Sequence, residues 1–229
     1  MRSRRHPNER LLVLAGLGVA SFLCLGLEFV REAHFADYAF RFLLWNLLLA
    51  WIPLLLALTV YDCYRRGVKL ALLTPVVGLW LLFLPNAPYI VTDFVHLRAS
   101  AGTPLWFDGV VISAFAWTGL LLGCISLYLV HAVLRHRLGA ASGWLGALAA
   151  LVLTSAGVYL GRVLQWNSWD LIVRPGQRLA EIAPGLDQTA VLAHAAAVTI
   201  LLTALLAATY LAFYTLVGVR LEPEGRRAR

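Results

Sequence analysis

The chain has 229 residues, of which 61% are hydrophobic and 14% charged, with six histidines, three cysteines and a formal net charge of +7. Its mean hydropathy is +0.77. An ordinary soluble domain carries about 25% charged residues, and here the charges cluster between long uncharged runs, so a soluble domain is excluded. The expectation is an all-α fold, a polytopic bundle of membrane helices spanning residues 1–229 as one integral membrane domain.

Six apolar stretches are long enough to be read as spans: about 11–28, 42–60, 69–84, 109–130, 143–164 and 190–217. The first lacks a small-residue cleavage site and runs on into Glu28 and Phe29, so it reads as a retained span. Residues 28–41 mix Glu28, Arg31, Glu32 and Asp37 with Phe35, Tyr38 and Phe40 and read as a surface helix. Asn46, early in the second span, reads as an interhelical hydrogen-bonding group. Gly119/Gly123 and Gly157/Gly161 are spaced four apart and favour close helix approach.

The third stretch is short. A span needs about 20 residues to cross ~30 Å of hydrocarbon, and 69–84 ends at Pro85-Asn86-Ala87-Pro88. Each proline lacks an amide donor and restricts the residue before it. The block is therefore expected inside the membrane boundary, as a broken helix end or a shallow re-entrant turn.

Lys and Arg sort by side of these spans. The N-terminus, the loops near Arg65 and Arg135 and the C-terminal tail hold thirteen of them against four acidic residues. The opposite loops and span ends hold six against eight. The positive-inside rule places both termini in the cytoplasm. The same sorting accounts for the net positive charge without nucleic acid. Cys24, Cys63 and Cys124 show no paired spacing and read as small apolar residues.

Every polar cluster of interest then falls on the outer face. After the proline block, a short helix from Tyr89 to Leu97, with Asn86 or Ala87 near its cap, places Tyr89, Thr92, Asp93 and His96 on one face. Asp93 and His96, three apart, can touch. A carboxylate that orients a histidine serves a general base, a proton relay or a metal ligand equally well; the same pair also simply closes a helix end. Asp108 stands at the start of span four behind Trp106. It is either a carboxylate on the positive end of a helix dipole or a second carboxylate facing Asp93. Arg162, near the outer end of span five, needs a partner or must snorkel, and Asp93, Asp108 and Asp170 are the candidates. Asn167 and Asp170 flank Trp169 at the exit of that span. A nucleophile would have to be Thr92 or Ser168. His194 lies near the same face, so a metal held by Asp93, His96 and His194 is conceivable, but no HExxH, CxxC or ligand-dense motif indicates a metal, and no motif indicates a cofactor.

The chain resembles DUF1361, a bacterial family of small integral membrane proteins of unknown function. The resemblance rests on Trp45-Asn46 with the following Ala-Trp-Ile-Pro, and on Leu84-Pro-Asn-Ala-Pro-Tyr-Ile-Val-Thr-Asp93 with His96. It continues through Trp106-Phe-Asp108, Gly157-Val-Tyr-Leu-Gly-Arg162 and Asn167-Ser-Trp-Asp170. It covers roughly residues 40–218. It implies a multi-span protein of the bacterial inner membrane and supplies no activity.

The functional expectation is a polar site at the outer leaflet. In an enzyme, a hydrolase or transferase for a lipid or lipid-linked group, Asp93, His96 and Asp108 are the candidate catalytic residues. Asn86, Tyr89, Thr92, Arg162, Asn167 and Asp170 are the candidate substrate-binding residues. A small transporter or channel and a structural or assembly subunit are the competing readings. Membrane lipids are the expected partners, with a membrane-protein partner or a homo-oligomer beside them.

Overall fold

The computed structural model describes residues 7–97, 103–166 and 189–218, together with positions 168, 173, 176 and 177. Among them every regular element is helical. The helices are α1 (Pro7–Phe35), α2 (Phe42–Arg65), α3 (Leu70–Phe83), α4 (Asn86–Tyr89), α5 (Leu105–Leu138), α6 (Ala140–Val163) and α7 (Thr189–Gly218). A 3₁₀ segment, Ile90–His96, continues α4. Six segments are long and apolar enough to cross a membrane, the third being Leu70–His96 taken as a whole.

The helices run up and down, and side-chain contacts pin both ends. Arg10 pairs with Asp62 and Tyr64 meets His136, gathering α1, α2 and α5 at one end. Arg31 pairs with Asp108 and Asn46 with Asp93, gathering the same helices at the other. The first end carries the Lys- and Arg-rich loops and is called here the basic end.

α5 is the central element. It packs on α2, α6, α1 and the 3₁₀ segment, while α7 lies mainly against α6. Leu43, Leu47, Ala50 and Leu54 of α2 meet Val111, Ile112, Phe115 and Leu122 of α5 in one buried cluster. Outward, large apolar side chains stand exposed: Phe22, Leu23 and Phe29 on α1, Trp117 on α5, and Ile200, Leu201 and Leu216 on α7. Apolar surface on that scale is untenable in water and ordinary against lipid tails. Together with the six spans it makes this a multi-pass membrane protein.

One sequence expectation changes and one is refined. Residues 28–41 do not form a separate surface helix. α1 runs unbroken to Phe35, and Glu28 and Arg31 are buried within it, because Arg31 finds its counter-charge on α5 rather than in water. The proline block breaks the helix, as expected: α3 ends at Phe83 and α4 begins at Asn86, but the chain between them makes a tight helical turn. Pro85 itself adopts helical angles (φ −56°, ψ −28°), and the backbone shifts to tighter hydrogen bonds. The Ala87 amide donates to Leu84 O at 3.2 Å, three residues back instead of four. The bypassed carbonyl of Phe83 accepts from the Asn86 side chain at 2.9 Å. The carbonyl of Leu82 accepts from the Ser168 hydroxyl at 3.1 Å. The fourteen residues of α3 reach only ~21 Å at ~1.5 Å each. The loose carbonyls of the block are satisfied inside the protein, as a position within the hydrocarbon layer requires.

The two glycine pairs form the seat of this block. A methyl group on Gly119 would lie 2.5 Å from the carbonyl oxygen of Ala87, and one on Gly123 would lie 3.2 Å from the Ala87 Cβ. On the α6 side, Gly157 faces the ring of Pro85 at 2.5 Å and Gly161 the ring of Tyr89 at 3.1 Å. The neighbours of Gly119 and Gly157 are backbone and a proline ring, which cannot swing aside. Gly119→Ala is therefore expected to cost about 1–3 kcal/mol by overpacking. Gly78→Ala, where nothing lies within 4 Å, is expected to be neutral or slightly stabilising. Unfolding midpoints of the two variants in detergent check this; equal midpoints would contradict the seat.

Candidate functional site

Arg162 is the hub of the polar end. It projects from the last turn of α6 onto the face of α4 and the 3₁₀ segment. Its Nη2 donates to Asp93 Oδ1 and, at 2.6 Å, to Thr92 Oγ1. Its Nε donates to the same hydroxyl oxygen at 2.8 Å. Its Nη1 lies 3.2 Å from His96 Nε2. The Tyr89 ring lies against the guanidinium, 4.5 Å from centroid to Cζ, a cation–π contact. Tyr89, Thr92, Asp93 and His96 thus share one face, as the spacing predicts, and that face is turned to a single arginine.

Asp93 is the buried member of the pair: its side chain is 1% exposed against 24% for Arg162. Its second oxygen, Oδ2, accepts from Asn46 Nδ2 at 2.9 Å. Asn46 is therefore an interhelical hydrogen-bond group, as expected, and its partner is the central carboxylate of the site. Both oxygens of Asp93 are engaged, and neither touches His96.

An arginine only donates, so Nε2 of His96 accepts and carries no proton in this arrangement. The imidazole lies edge-on to Phe42, 5.0 Å between centroids, and is exposed. Asp93 thus acts on His96 through Arg162 rather than by direct contact. The difference arises because the 3₁₀ segment stacks residues three apart and Arg162 enters between the two side chains.

The hydroxyls are already spent on the backbone. Thr92 Oγ1 donates to Tyr89 O at 2.6 Å and Ser168 donates to Leu82 O, so neither proton faces a base. Asn86 reaches the site's rim through Ser168, 3.0 Å from its Nδ2. Asn167 and Asp170 lie outside the described residues.

Asp108 takes a different partner. Its Oδ1 accepts from Arg31 Nε at 2.8 Å, and Arg31 also binds Asp37 Oδ2 at 2.7 Å and Asp37 O at 3.0 Å. The Arg31 guanidinium lies over Phe40, 4.0 Å from the centroid. Asp108 therefore belongs to a second cluster that ties α1 and the 36–41 turn to the start of α5, not to a carboxylate pair with Asp93. Asp37, outside the spans, is held below the ordinary carboxylate range by the Ala39 amide first and then by Arg31. Glu28, buried beside this cluster, has neither carboxyl oxygen hydrogen-bonded among the described residues.

His194 packs near Tyr159, 6.1 Å between ring centroids. Among the described residues no three His, Cys, Asp or Glu side chains are placed to share a metal. Sequence reasoning passed over one further polar cluster, at the basic end. His131 of α5 is buried and bonds Tyr210 of α7 at 2.8 Å through Nδ1. Its only sequence signal is a histidine inside an apolar span.

The sequence profile of the family described as "Protein of unknown function (DUF1361)" matches residues 45–209. That range takes in Asn46, the proline block and Arg162. No curated protein matches the chain, and no solved structure does.

Removing either partner of the Arg162–Asp93 pair has unequal consequences. Arg162→Ala strands a fully buried carboxylate, whereas Asp93→Ala leaves an arginine that can still reach water. Losing one partner of a buried pair costs about 3–5 kcal/mol. Arg162→Ala is expected to fall in that range and Asp93→Ala clearly below it, by chemical unfolding in the same detergent. Equal losses would show that the burial asymmetry has no energetic weight.

Proposed function

The chain belongs to the DUF1361 family of proteins of unknown function, and from the chemistry of its own site we propose that it is a membrane-embedded hydrolase or transferase acting on an anionic lipid or lipid-linked group. The observation that carries the reading is the outer edge of Arg162. Its Nε and Nη2 are fixed by Thr92 and Asp93, while among the described residues Nη1 meets only an exposed histidine. A planar guanidinium held in this way suits phosphate or carboxylate.

The binding and the chemistry are linked through that one contact. An anion that takes the Nη1 donor for itself releases the Nε2 lone pair of His96. His96 then accepts the proton of an attacking water or alcohol and returns it to the leaving oxygen. A histidine is suited to both steps near neutral pH. In this scheme His96 is the acid/base, Arg162 the anion binder, and Asp93, Asn46, Thr92 and Tyr89 position Arg162. Asn86 holds the neighbouring rim. The site opens at the end away from the basic loops, so the charge distribution supports an orientation with both termini in the cytoplasm of a bacterial inner membrane.

Transport has less support. Between the two polar ends, the polar groups of α5 are spent locally: Ser126 joins Trp80 Nε1 at 2.7 Å to Pro53 O at 2.9 Å, and Thr118 binds Ala114 O at 2.8 Å. Docking has one observation in its favour. Arg162 and Asp93 neutralise each other, so the cluster also reads as a clasp that shapes a surface for a partner.

Two measurements test this. In a Cys-free background, single cysteines at Ala99 and Gln177 are expected to label with an impermeant reagent in intact cells and one at Gly67 is not; reversed labelling would remove the outer site. His96→Ala, which leaves the Asp93 pair intact, is expected to fold normally and to lower activity by roughly 10²–10⁴-fold, the usual share of a general base. The readout is the lipid composition of expressing cells. If wild type, His96→Ala and empty vector give the same lipids, the catalytic reading fails, and pull-downs with the same variant decide for or against docking.

A further inference from the structure

At the basic end, α5 and α7 enclose a cleft of about 320 Å³ lined by Tyr128, His131, Ala132, Arg135, His136 and Tyr214. Three of these side chains are basic and none is acidic. Arg135 donates to the Tyr214 hydroxyl and meets no carboxylate among the described residues. The Tyr214 hydroxyl, accepting from Arg135, keeps its own proton to donate. His136 bonds Tyr64 OH through Nδ1 at 2.8 Å.

His131 adds the decisive detail. It is 1% exposed, and its Nδ1 meets Tyr210 OH. Its Nε2 has no hydrogen-bond partner among the described residues. In the tautomer in which the phenol donates to Nδ1, the ring proton sits on Nε2 as an unused donor. A buried donor left unsatisfied is costly, and in native structures such a group points to a missing ligand or water. The surrounding rings, Trp144 at 4.7 Å and Tyr214 at 5.4 Å from the imidazole centroid, hold it in place. They also set the depth: tyrosine and tryptophan gather at the headgroup level of a bilayer.

We propose that this cleft is a phosphate-binding site, taking the phosphate of an anionic membrane phospholipid head group or a free phosphate, with Arg135, His136 and the Tyr214 hydroxyl as donors and His131 beneath them. The size fits a head group, since ligand sites begin at about 300 Å³. The location fits as well, because basic pockets between membrane helices on the positive-inside face hold anionic head groups. The site is separate from Arg162 and does not depend on the activity proposed for it.

The test titrates three probes into the full-length protein in neutral detergent, following tryptophan fluorescence, to which Trp144 reports. The probes are a short-chain phosphatidylglycerol, the phosphatidylcholine of the same chain length, and inorganic phosphate. Saturable binding of phosphatidylglycerol, with phosphatidylcholine weaker, supports the site; inorganic phosphate binding as tightly as the lipid identifies a free phosphate as the ligand. Arg135→Gln, at an exposed position, is expected to weaken binding roughly tenfold, as losing a charge-assisted hydrogen bond does. Arg66→Gln, exposed at the same end but outside the cleft, is expected to bind as wild type. The proposal is overturned if no phosphate probe saturates, if phosphatidylcholine binds as well as phosphatidylglycerol, or if the two arginine variants behave alike.

Discussion

A carboxylate buried within a membrane bundle must bring its own counter-charge. Asp93 meets that demand with one arginine from α6 and one asparagine from α2, so three helices are tied at a single carboxyl group. The cost of breaking such a pair, about 3–5 kcal/mol, is a large share of the 5–15 kcal/mol that typically holds a folded domain together. The remaining architecture of this end follows from reaching that geometry. α3 must stop short, α4 and the 3₁₀ segment must carry Asp93 inward, and α6 must pass close enough for Arg162 to span the gap.

The glycines make the approach possible. Gly157 and Gly161 remove side chains where α6 crosses Pro85 and Tyr89, and Gly119 and Gly123 do the same where α5 crosses Ala87 and Pro88. A helix bent by two prolines releases carbonyls that hydrocarbon cannot satisfy; Asn86 and Ser168 take two of them. Packing and hydrogen bonding therefore serve the same end, a polar face held rigid at the membrane boundary. Rigidity has a chemical consequence. With Nε and Nη2 fixed, Arg162 offers its remaining edge in one orientation, and His96 shares that edge.

Much of this was legible in the sequence, for physical reasons. Six spans follow from the lengths of uncharged runs, and the common face of Tyr89, Thr92, Asp93 and His96 follows from their spacing. The need of Arg162 for a carboxylate follows from the cost of an unpaired charge in lipid. What spacing cannot give is the order of contacts on that face. Asp93 and His96 stand three apart and could touch, yet an arginine seventy residues away in the chain comes between them. Nor does local pattern distinguish Asp108 facing Asp93 from Asp108 facing Arg31, because both arginines lie at the same end of the bundle. Glu28 and Arg31 read as surface charges from their neighbours alone, and only the packing of α1 on α5 buries them. The tight turn at Pro85 is likewise closed in part by Ser168 reaching back to the Leu82 carbonyl, a tertiary contact that proline statistics do not contain.

The central claim is that Asp93 holds Arg162 so that it donates to His96 Nε2. Nitrogen-15 NMR of selectively histidine-labelled protein, with His96→Gln to assign the resonance, reads this directly. The account predicts a neutral His96 ring in the free protein with its proton on Nδ1, and loss of that preference in Arg162→Gln. A ring proton on Nε2 in the wild-type protein would contradict it.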